Sequence, residues 1–337
     1  MPDTRVDIEV ITDAVRLACR APSLHNSQPW RWVAEVNSLD LFADRARVVR
    51  ATDRSGREAI ISCGAVLDHL RVAMAAAGWA AHIDRFPNPN NRDHLASIDF
   101  GPMTSVTEGH RRRANAILTR RTDRLPFAAP PEWESVEPLL RSIIDGEVVR
   151  LDVVADDARP QLAQASELTE SLRLYDSFYH TELQWWTAAF AGSEGIPHSS
   201  LVSEAESERV DVGRTFPVTR HSERRTHFGR DQSKVLVLST YDETRESVLR
   251  CGEMLSAVLL DATMAGLATC PLTHITELQA SRNIVAAVIE RDDAVPQVLV
   301  RVGIAPSIED VPPPTGRRPI NEVLQIRRGN GHTARSS

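Results

Sequence analysis

Residues 57–78 read REAIISCGAVLDHLRVAMAAAG, and this stretch decides the fold. Apolar residues cover most of its helical surface, and the run stops at Gly78. A helix that is apolar nearly all round belongs in a core, and a glycine after the last turn is a common helix terminator. The stretch therefore predicts a long buried helix.

A second stretch, residues 245–270, repeats this pattern 188 residues later. The shared pattern, T-x4-R-E-x4-C-G-x2-L-x9-A-G, aligns Gly64 with Gly252 without a gap. Core helices rich in Leu and Ala can look alike by composition, but the matching Thr, Arg and Glu residues favour an internal duplication. A duplicated apolar helix predicts a pseudo-dimer, in which the helix packs against its own copy at the seam.

The composition excludes several classes of protein. The 337 residues are 42% hydrophobic and carry a net charge of −7, which is ordinary for a globular chain and argues against nucleic-acid binding. We see no apolar leader and no run of about 18 apolar residues, so we expect no membrane helix. Four cysteines without CxxC spacing predict a reduced, cytoplasmic protein, and the histidines show no metal-ligand spacing.

The segments around the two long helices alternate between helical and strand-like patterns. They predict an α+β fold with central sheets flanked by helices. Residues 191–233 differ, because they are polar and have little regular period, which is typical of a lid or a mobile insertion. A turn is expected near Asn37-Ser38, between two short strands.

Four further segments carry distinctive polar or basic residues. They are APSLHNSQPW (21–30), RRTDRLPF (120–127), GLATCPLTH (266–274) and RRPINEVL (317–324). Singly, each has a plain interpretation as a helix-ending turn, a charged helix end, a packing loop or a basic tail. In combination they resemble the PS-x-x-N-x-QPW, Arg-x-Ser-x-Arg/Lys-x-Phe, GL-x-x-x-P and basic C-terminal segments of flavin-dependent nitroreductases. The sequence of residues 18–32 resembles that of the Acg-type branch, whose members are fused and linked to dormancy.

The resemblance implies a nitroreductase-like fold and an FMN site. The flavin contacts that it implies are Pro22, Ser23, Leu24, Asn26, Arg120, Arg121, Thr122, Arg124, Pro271, Leu272, Thr273, Arg317 and Arg318. The arginines would bind the phosphate and the pyrimidine edge, because guanidinium groups bind phosphate in a bidentate manner. At least one of Arg317 and Arg318 is expected at the phosphate, and the sequence leaves open which.

The two halves of the chain are not equivalent in these motifs. Only the second half carries the phosphate motif, the loop beside flavin N5 and the basic tail. We therefore expect one flavin site per chain, with Ser23 and Asn26 contributed across the seam, and a chain that can be monomeric because its dimer interface is internal. The predicted units are 1–108 (degenerate half), 109–330 (half with the main site), 191–233 (lid insertion) and 331–337 (flexible tail).

The resemblance implies NAD(P)H-dependent reduction of a small aromatic acceptor, a nitroaromatic or a quinone, by ping-pong hydride transfer through FMN N5. No side chain is required as an acid or a base, because the cofactor carries the chemistry. One alternative is an FMN-storing or FMN-sequestering protein in which the lid covers the flavin and little reductase activity remains. A second is an interaction protein whose site has decayed.

Overall fold

The computed structural model describes residues 5–35, 38–188, 192–217, 223–226, 229–291, 293–306, 308 and 312–327. The predicted tail at 331–337 lies outside these ranges, as does Asn37 of the predicted turn.

Helices and strands alternate along the described chain, which confirms the predicted α+β class. The helices are α1 Ile8–Ala18, α2 Arg57–Ala76, α3 Glu108–Thr119, α4 Trp133–Ser142, α5 Arg159–Arg173, α6 Ser177–Trp186, α7 Glu204–Glu208, α8 Arg245–Met264, α9 His274–Glu277, α10 Gln279–Val288 and α11 Ile320–Val323. The strands are β1 Trp30–Ala34, β2 Ser38–Ala43, β3 Trp79–Arg85, β4 His94–Pro102, β5 Val149–Val153, β6 Lys234–Thr240, β7 Ala268–Leu272, β8 Val295–Gly303 and β9 Leu324–Ile326.

The strands form two sheets on either side of the long helices. The first has the order β3-β4-β2-β1-β9, and the second has the order β5-β6-β8-β7. All pairings are antiparallel except β1 with β9, where Trp32 lies opposite Leu324. Strand β9 lies near the end of the chain, so the C-terminal segment crosses the molecule and completes the N-terminal sheet.

Helices α2 and α8 pack along one another at the centre of the molecule. Their backbones meet at a pair of glycines: a Cβ on Gly64 would lie 2.0 Å from the carbonyl oxygen of Leu249, and one on Gly252 would lie 2.1 Å from that of Ile61. No larger side chain fits at either position. The predicted helix pair is therefore present, and glycine is required where the two helices cross.

The geometry of this helix pair supports the predicted duplication. Both helices span 20 residues, and α8 begins and ends 188 residues after α2. Gly64 contacts Gly252, and the Oγ of Ser256 donates to Asp68 Oδ2 at 2.6 Å, again across an offset of 188. Residues 188 positions apart therefore contact each other where the two helices pack, and the pseudo-dimer itself stays a prediction.

The end of α8 and the segment after it differ from the sequence prediction. The helix ends at Met264, before the predicted end near residue 270, and Gly266 follows at φ +76°. The predicted loop 266–274 instead contains strand β7, in which Cys270 pairs with Arg301 of β8. Because β7 is an edge strand, it tolerates Pro271, which has no N–H to donate.

Helix α2 is long and apolar enough to cross a membrane by length and composition alone, which the sequence analysis did not anticipate. In the structure, 83% of its apolar window is buried inside the protein. Its apolar surface is therefore used in packing against α8, against α1 and α3, and against β2 and β3 of the first sheet.

We predict that Gly64→Ala destabilises the protein by at least about 3 kcal/mol, because the added methyl group overlaps a helix backbone that cannot move independently. Thermal and urea unfolding measure the loss. The matched control is Gly109→Ala in α3, where the nearest atom to the new Cβ is Thr107 Oγ1 at 3.5 Å. That variant should be stabilised by up to about 1 kcal/mol through helix propensity. Equal stability of the two variants would show that the crossing is not tight.

Candidate functional site

The segment 21–30 forms a tight loop between α1 and β1. His25, Asn26 and Gln28 all have positive φ, at 49°, 57° and 51°, which is rare for residues other than glycine. Ser23 Oγ accepts a hydrogen bond from Gln28 N at 3.0 Å, and Leu24 N donates to Ser62 Oγ of α2 at 3.3 Å. The loop is therefore held in a strained shape against α2, as is common where a chain contacts a ligand.

This loop forms one side of an inner pocket with about 990 Å³ of empty space, its open mouth included. Three sequence motifs meet there, because Thr122 and Arg124 come from the second motif and β7 supplies the third. The predicted residues that line the pocket are Pro22, Ser23, Leu24, Thr122, Arg124, Pro271, Leu272 and Thr273. Largely apolar walls with a few polar groups are typical of a site for a flat organic ligand.

An outer pocket with about 1350 Å³ of empty space adjoins the inner one. The two share Pro22, Ser23, Thr122 and Arg124, so they form one continuous cleft. The remaining predicted residues that line the outer pocket are Asn26, Arg120, Arg121 and Arg317. The cleft therefore has an apolar inner end and a basic outer end.

Three arginines at the outer pocket, Arg20, Arg120 and Arg317, form a cluster that we call the arginine triad. Arg120 is buried, and its Nη2 donates only to the carbonyl oxygen of Arg20, at 3.4 Å, while its Nε and Nη1 have no partner in the described chain. Burial and the charge of Arg20 lower the pKa of Arg120 to about 10. Burial and the charges of Arg120 and Arg20 lower the pKa of Arg317 to about 9.

The arginine triad fits the phosphate that the resemblance implies. Within the described ranges, none of the three guanidinium groups forms an ion pair with a carboxylate. Buried cations that repel each other are unfavourable unless an anion is bound, and a phosphate offers oxygens to several guanidinium forks at once. Arg20 was missed by the sequence analysis, since it precedes the recognised motif and only the fold brings it to the others.

Arg317 and Arg318 have different surroundings. Arg317 lines the outer pocket, and its Nε donates to the carbonyl oxygen of Cys19 at 2.9 Å. Arg318 lines neither pocket; its Nη1 donates to the carbonyl oxygens of Gln28 and Trp30 at 3.3 and 3.4 Å. The geometry thus favours Arg317 as the phosphate ligand and gives Arg318 a role in holding loop 21–30.

The other predicted residues are placed as follows. Asn26 uses its amide to donate to the carbonyl oxygens of Gly195 and Gly316, at 3.1 and 3.2 Å. Arg121 is exposed and donates to the carbonyl oxygen of Pro312. Arg124 donates to the carbonyl oxygen of Ser200 at 3.3 Å. Asn26 therefore ties together three segments around the cleft instead of presenting a free amide to it.

Residues 192–217, which we call the cover segment, close the cleft from outside. Its side chains that line the inner pocket include Val202, Val210, Arg214 and Phe216. The ring of Phe216 lies 5.1 Å from the Arg124 guanidinium carbon and makes an edge contact with His25, with ring centroids 6.2 Å apart. The cover segment therefore forms part of the wall of the inner pocket, and the interpretation of residues 191–233 as a lid stays a prediction.

Arg214 fastens the cover segment to the body of the protein. Its Nη1 donates to Tyr179 Oη at 3.1 Å, and its Nη2 forms an ion pair with Glu277 of α9. Thr273 Oγ1 lies 3.4 Å from the same Nη2. A buried charged pair with these hydrogen bonds keeps the cover segment in one position.

The inner pocket also holds titratable groups that the sequence analysis missed. Burial and the charges of Arg214 and Arg124 lower the pKa of His25 well below its ordinary value. Burial and the charges of Arg214 and Arg301 do the same for His274, which lies 2.7 Å from Ser166 Oγ. Burial and the charge of Glu277 raise the pKa of Glu58 well above its ordinary value. Burial therefore favours the neutral forms of these three groups in the wall of the pocket.

Comparison with known proteins finds relatives that align with nearly the whole chain. No family model matches the chain. The acg protein of Mycobacterium tuberculosis strain H37Rv, provisionally named an NAD(P)H nitroreductase, is 68% identical over 327 residues, which cover 97% of this chain and 98% of the relative. The Rv3131 protein of that strain, with the same provisional name, is 36% identical over 321 residues, which cover 95% of this chain and 92% of the relative.

The solved structures that resemble the chain are more distant. The FMN and NADPH-dependent nitroreductase NfnB of a Sphingopyxis strain aligns with a TM-score of 0.43 and 15% identity, covering 63% of this chain and 97% of its own. The FMN-dependent nitroreductase NfnB of Mycobacterium smegmatis, solved with NADPH, aligns with a TM-score of 0.35 and 17% identity, covering 68% and 100%.

We predict opposite effects of Arg120→Met with and without a phosphorylated ligand. Without ligand, the unfolding midpoint should stay the same or rise, because a buried unpaired charge is removed. FMN affinity, measured by quenching of flavin fluorescence, should fall about 10- to 100-fold, because a charge-assisted hydrogen bond to phosphate is lost. The control is Arg111→Met, an exposed arginine of α3, the helix that Arg120 follows, and it should change neither quantity. Unchanged FMN affinity in Arg120→Met would contradict a phosphate site at the arginine triad.

Proposed function

Because the chain belongs to the nitroreductase family of its 68% identical relative, we propose that it binds FMN in the cleft and reduces nitroaromatics or quinones with NAD(P)H. The observation that carries the proposal is the arginine triad, which has no carboxylate partner among the described residues, at one end of the cleft and the apolar inner pocket at the other. A ligand with a flat ring system and one terminal phosphate matches both ends.

Different residues would bind the phosphate, the linking chain and the ring of FMN. Arg20, Arg120 and Arg317 would hold the phosphate, and Ser23 and Thr122, which line both pockets, would contact the chain that joins phosphate and ring. The apolar side chains that would pack against the ring are Leu24, Ile61, Leu255, Leu272 and Val298. One FMN per chain follows from this assignment, since the triad and the inner pocket form a single cleft.

The bound flavin would supply the redox chemistry, accepting electrons from NAD(P)H and passing them to the acceptor. The chain supplies the environment. Arg124, Arg214 and Arg301 all reach the wall of the inner pocket, and their positive charges favour a ligand that becomes more negative on reduction. The neutral state of His25 and His274 leaves these guanidinium groups as the cations of the pocket.

The cover segment favours a second candidate function, storage or sequestration of FMN. Phe216 and Arg214 line the inner pocket, and the ion pair of Arg214 with Glu277 holds them there. A nicotinamide can stack on the flavin only if the cover segment moves, so a cover that stays closed would leave FMN bound but unreactive. The two functions differ in whether this motion occurs during turnover.

Other features stay predictions. The two units divided near residue 108, the origin of the chain by duplication, the monomeric state, the cytoplasmic location and the link to hypoxic dormancy all belong to the interpretation of the sequence. A division near residue 108 is compatible with the gap between β4, which ends at Pro102, and α3, which begins at Glu108.

The test is an anaerobic titration of the purified protein, first with NADPH and then with dithionite. The absorbance of the flavin is recorded throughout. We predict about one FMN per chain, bleached by NADPH. Phe216→Ala should bleach about tenfold faster, because a cation–π contact and an aromatic edge contact that hold the cover segment are lost. Phe178→Ala, which removes an aromatic ring 82% exposed on α6, is the matched control and should bleach like the wild type.

Three outcomes would change this interpretation. Bleaching by dithionite alone, in the wild type and in Phe216→Ala, would support sequestration against the reductase. Two FMN per chain would contradict the single cleft. A preparation without flavin and without FMN affinity would leave an interaction protein with a decayed site.

A further inference from the structure

Glu58 is a buried acid in the wall of the inner pocket that the proposed reduction does not yet use. It lies in the first turn of α2, is 2% exposed and is followed one turn later by the pocket residues Ile61 and Ser62. Its Oε1 accepts one hydrogen bond, from Arg57 Nη2 at 3.1 Å. Its Oε2 has no partner in the described part of the chain.

The neighbouring charges leave Glu58 poorly compensated. Glu277 on α9 forms ion pairs with two arginines, Arg173 of α5 at 3.3 Å and Arg214 of the cover segment. Arg57 directs its remaining N–H groups to Gln297 and Thr276. Glu58 is therefore left with one hydrogen bond from a guanidinium group that it shares with neutral acceptors.

A purely structural role does not account for this carboxyl group. An acid in the first turn can stabilise a helix by accepting backbone N–H bonds, but here Asp53 does so, accepting from Ala59 N at 2.9 Å. A buried ion pair stabilises only when both partners have their hydrogen bonds satisfied, and Glu58 Oε2 has none. Glu58 instead belongs to the wall of the inner pocket, and its buried Oε2 has no partner among the described residues.

We propose that Glu58 is the proton donor of the inner pocket and transfers the proton of its carboxyl group to an oxygen of the bound acceptor as that acceptor is reduced. The inference rests on the proposed function for the source of electrons. It revises the sequence-based expectation that no side chain serves as an acid.

The transfer balances for a quinone. A two-electron reduction adds one hydride and one proton to the quinone and gives a hydroquinone; the hydride originates in NAD(P)H, and the proton comes from the O–H bond of Glu58. The reaction leaves a Glu58 carboxylate beside Arg57, which stabilises it until water restores the proton. Burial and Glu277 favour the protonated acid beforehand, while Arg57, Asp53 and Arg214 also act on the same carboxyl group.

The duplicated helix provides a matched control. Glu246 of α8 occupies the position equivalent to Glu58, in the first turn of its helix, but it is exposed and lines neither pocket. Glu58→Gln and Glu246→Gln therefore make the same chemical change at equivalent helix positions, inside and outside the site.

The first measurement separates the two half-reactions in FMN-loaded protein. In Glu58→Gln, reoxidation of the dithionite-reduced protein by a quinone should slow about 100-fold, as expected for loss of a general acid, while FMN affinity and bleaching by NADPH stay within about threefold of the wild type. Glu246→Gln should behave like the wild type throughout. Reoxidation at the wild-type rate in Glu58→Gln, with the same pH profile, would overturn the proposal.

The second measurement reports the proton itself and needs no turnover. Infrared spectra should show the carbonyl stretch of a protonated carboxylic acid at pH 7 in the wild type and in Glu246→Gln, and this band should be missing in Glu58→Gln. If the band persists in Glu58→Gln, Glu58 is ionised and cannot donate a proton.

Stability provides a third readout with a defined sign. A folded-state pKa above the ordinary value of 4.5 means that wild-type stability declines as pH rises from about 4.5, because the folded state binds the proton more tightly than the unfolded state. Glu58→Gln removes this decline, so its unfolding midpoint should rise relative to the wild type with increasing pH. A midpoint that falls relative to the wild type would show an ionised Glu58 paired with Arg57.

Failure of the proposed function can be told apart from failure of this inference. Protein that binds FMN but ignores NAD(P)H would contradict the reductase, yet the infrared band and the dithionite-reduced protein would still test Glu58. Protein that turns over normally without the Glu58 band would contradict the inference alone.

Discussion

The close approach of α2 and α8 at Gly64 and Gly252 is the constraint on which the rest of the structure depends. The two backbones are near enough that a single methyl group on either glycine would overlap a carbonyl oxygen. This distance fixes the relative position of α2 and α8, both of which supply residues to the inner pocket. Glu58, Ile61 and Ser62 reach the inner pocket from α2, and Leu255 reaches it from α8. Ser62 also holds the loop 21–30 through Leu24 N. A wider helix crossing would therefore open the floor of the pocket.

The cleft combines two electrostatic arrangements that differ in kind. At its outer end the arginine triad has no carboxylate partner within the described ranges, and burial with mutual repulsion lowers the pKa values of Arg120 and Arg317. At the inner end acids and arginines are mixed, and burial favours the neutral forms of His25, His274 and Glu58. The outer end is unfavourable without an anion, while the inner end offers an uncharged ring apolar walls beside the cations Arg124, Arg214 and Arg301. A phosphorylated aromatic ligand matches this change in polarity along the cleft.

The sequence predicted the parts of this architecture that depend on local pattern. The two long helices follow from apolar periodicity and from the repeat, and the convergence of Ser23, Thr122 and Arg124 follows from the motif resemblance, which the 68% identical relative confirms at the level of the family. Features that depend on tertiary contacts were missed. Residues 268–272 form a strand because β8 offers an open edge, which no local periodicity reveals. The same holds for Arg20 and Arg214, whose neighbours come from distant segments, and for the different surroundings of Arg317 and Arg318.

Glu277 connects the cover segment to the acid in the pocket. It is the carboxylate to which Arg214 binds, and it is also the charge that, after burial, most raises the pKa of Glu58. Arg214 acts on Glu58 in the opposite direction, lowering its pKa. When the cover segment is closed, the Arg214 charge lies near both acids and favours release of the Glu58 proton. When it moves away, Glu277 loses a cation, and its negative charge together with burial favours protonation of Glu58. If the cover segment opened, Glu58 would therefore bind its proton more tightly, because Arg214 would leave both acids.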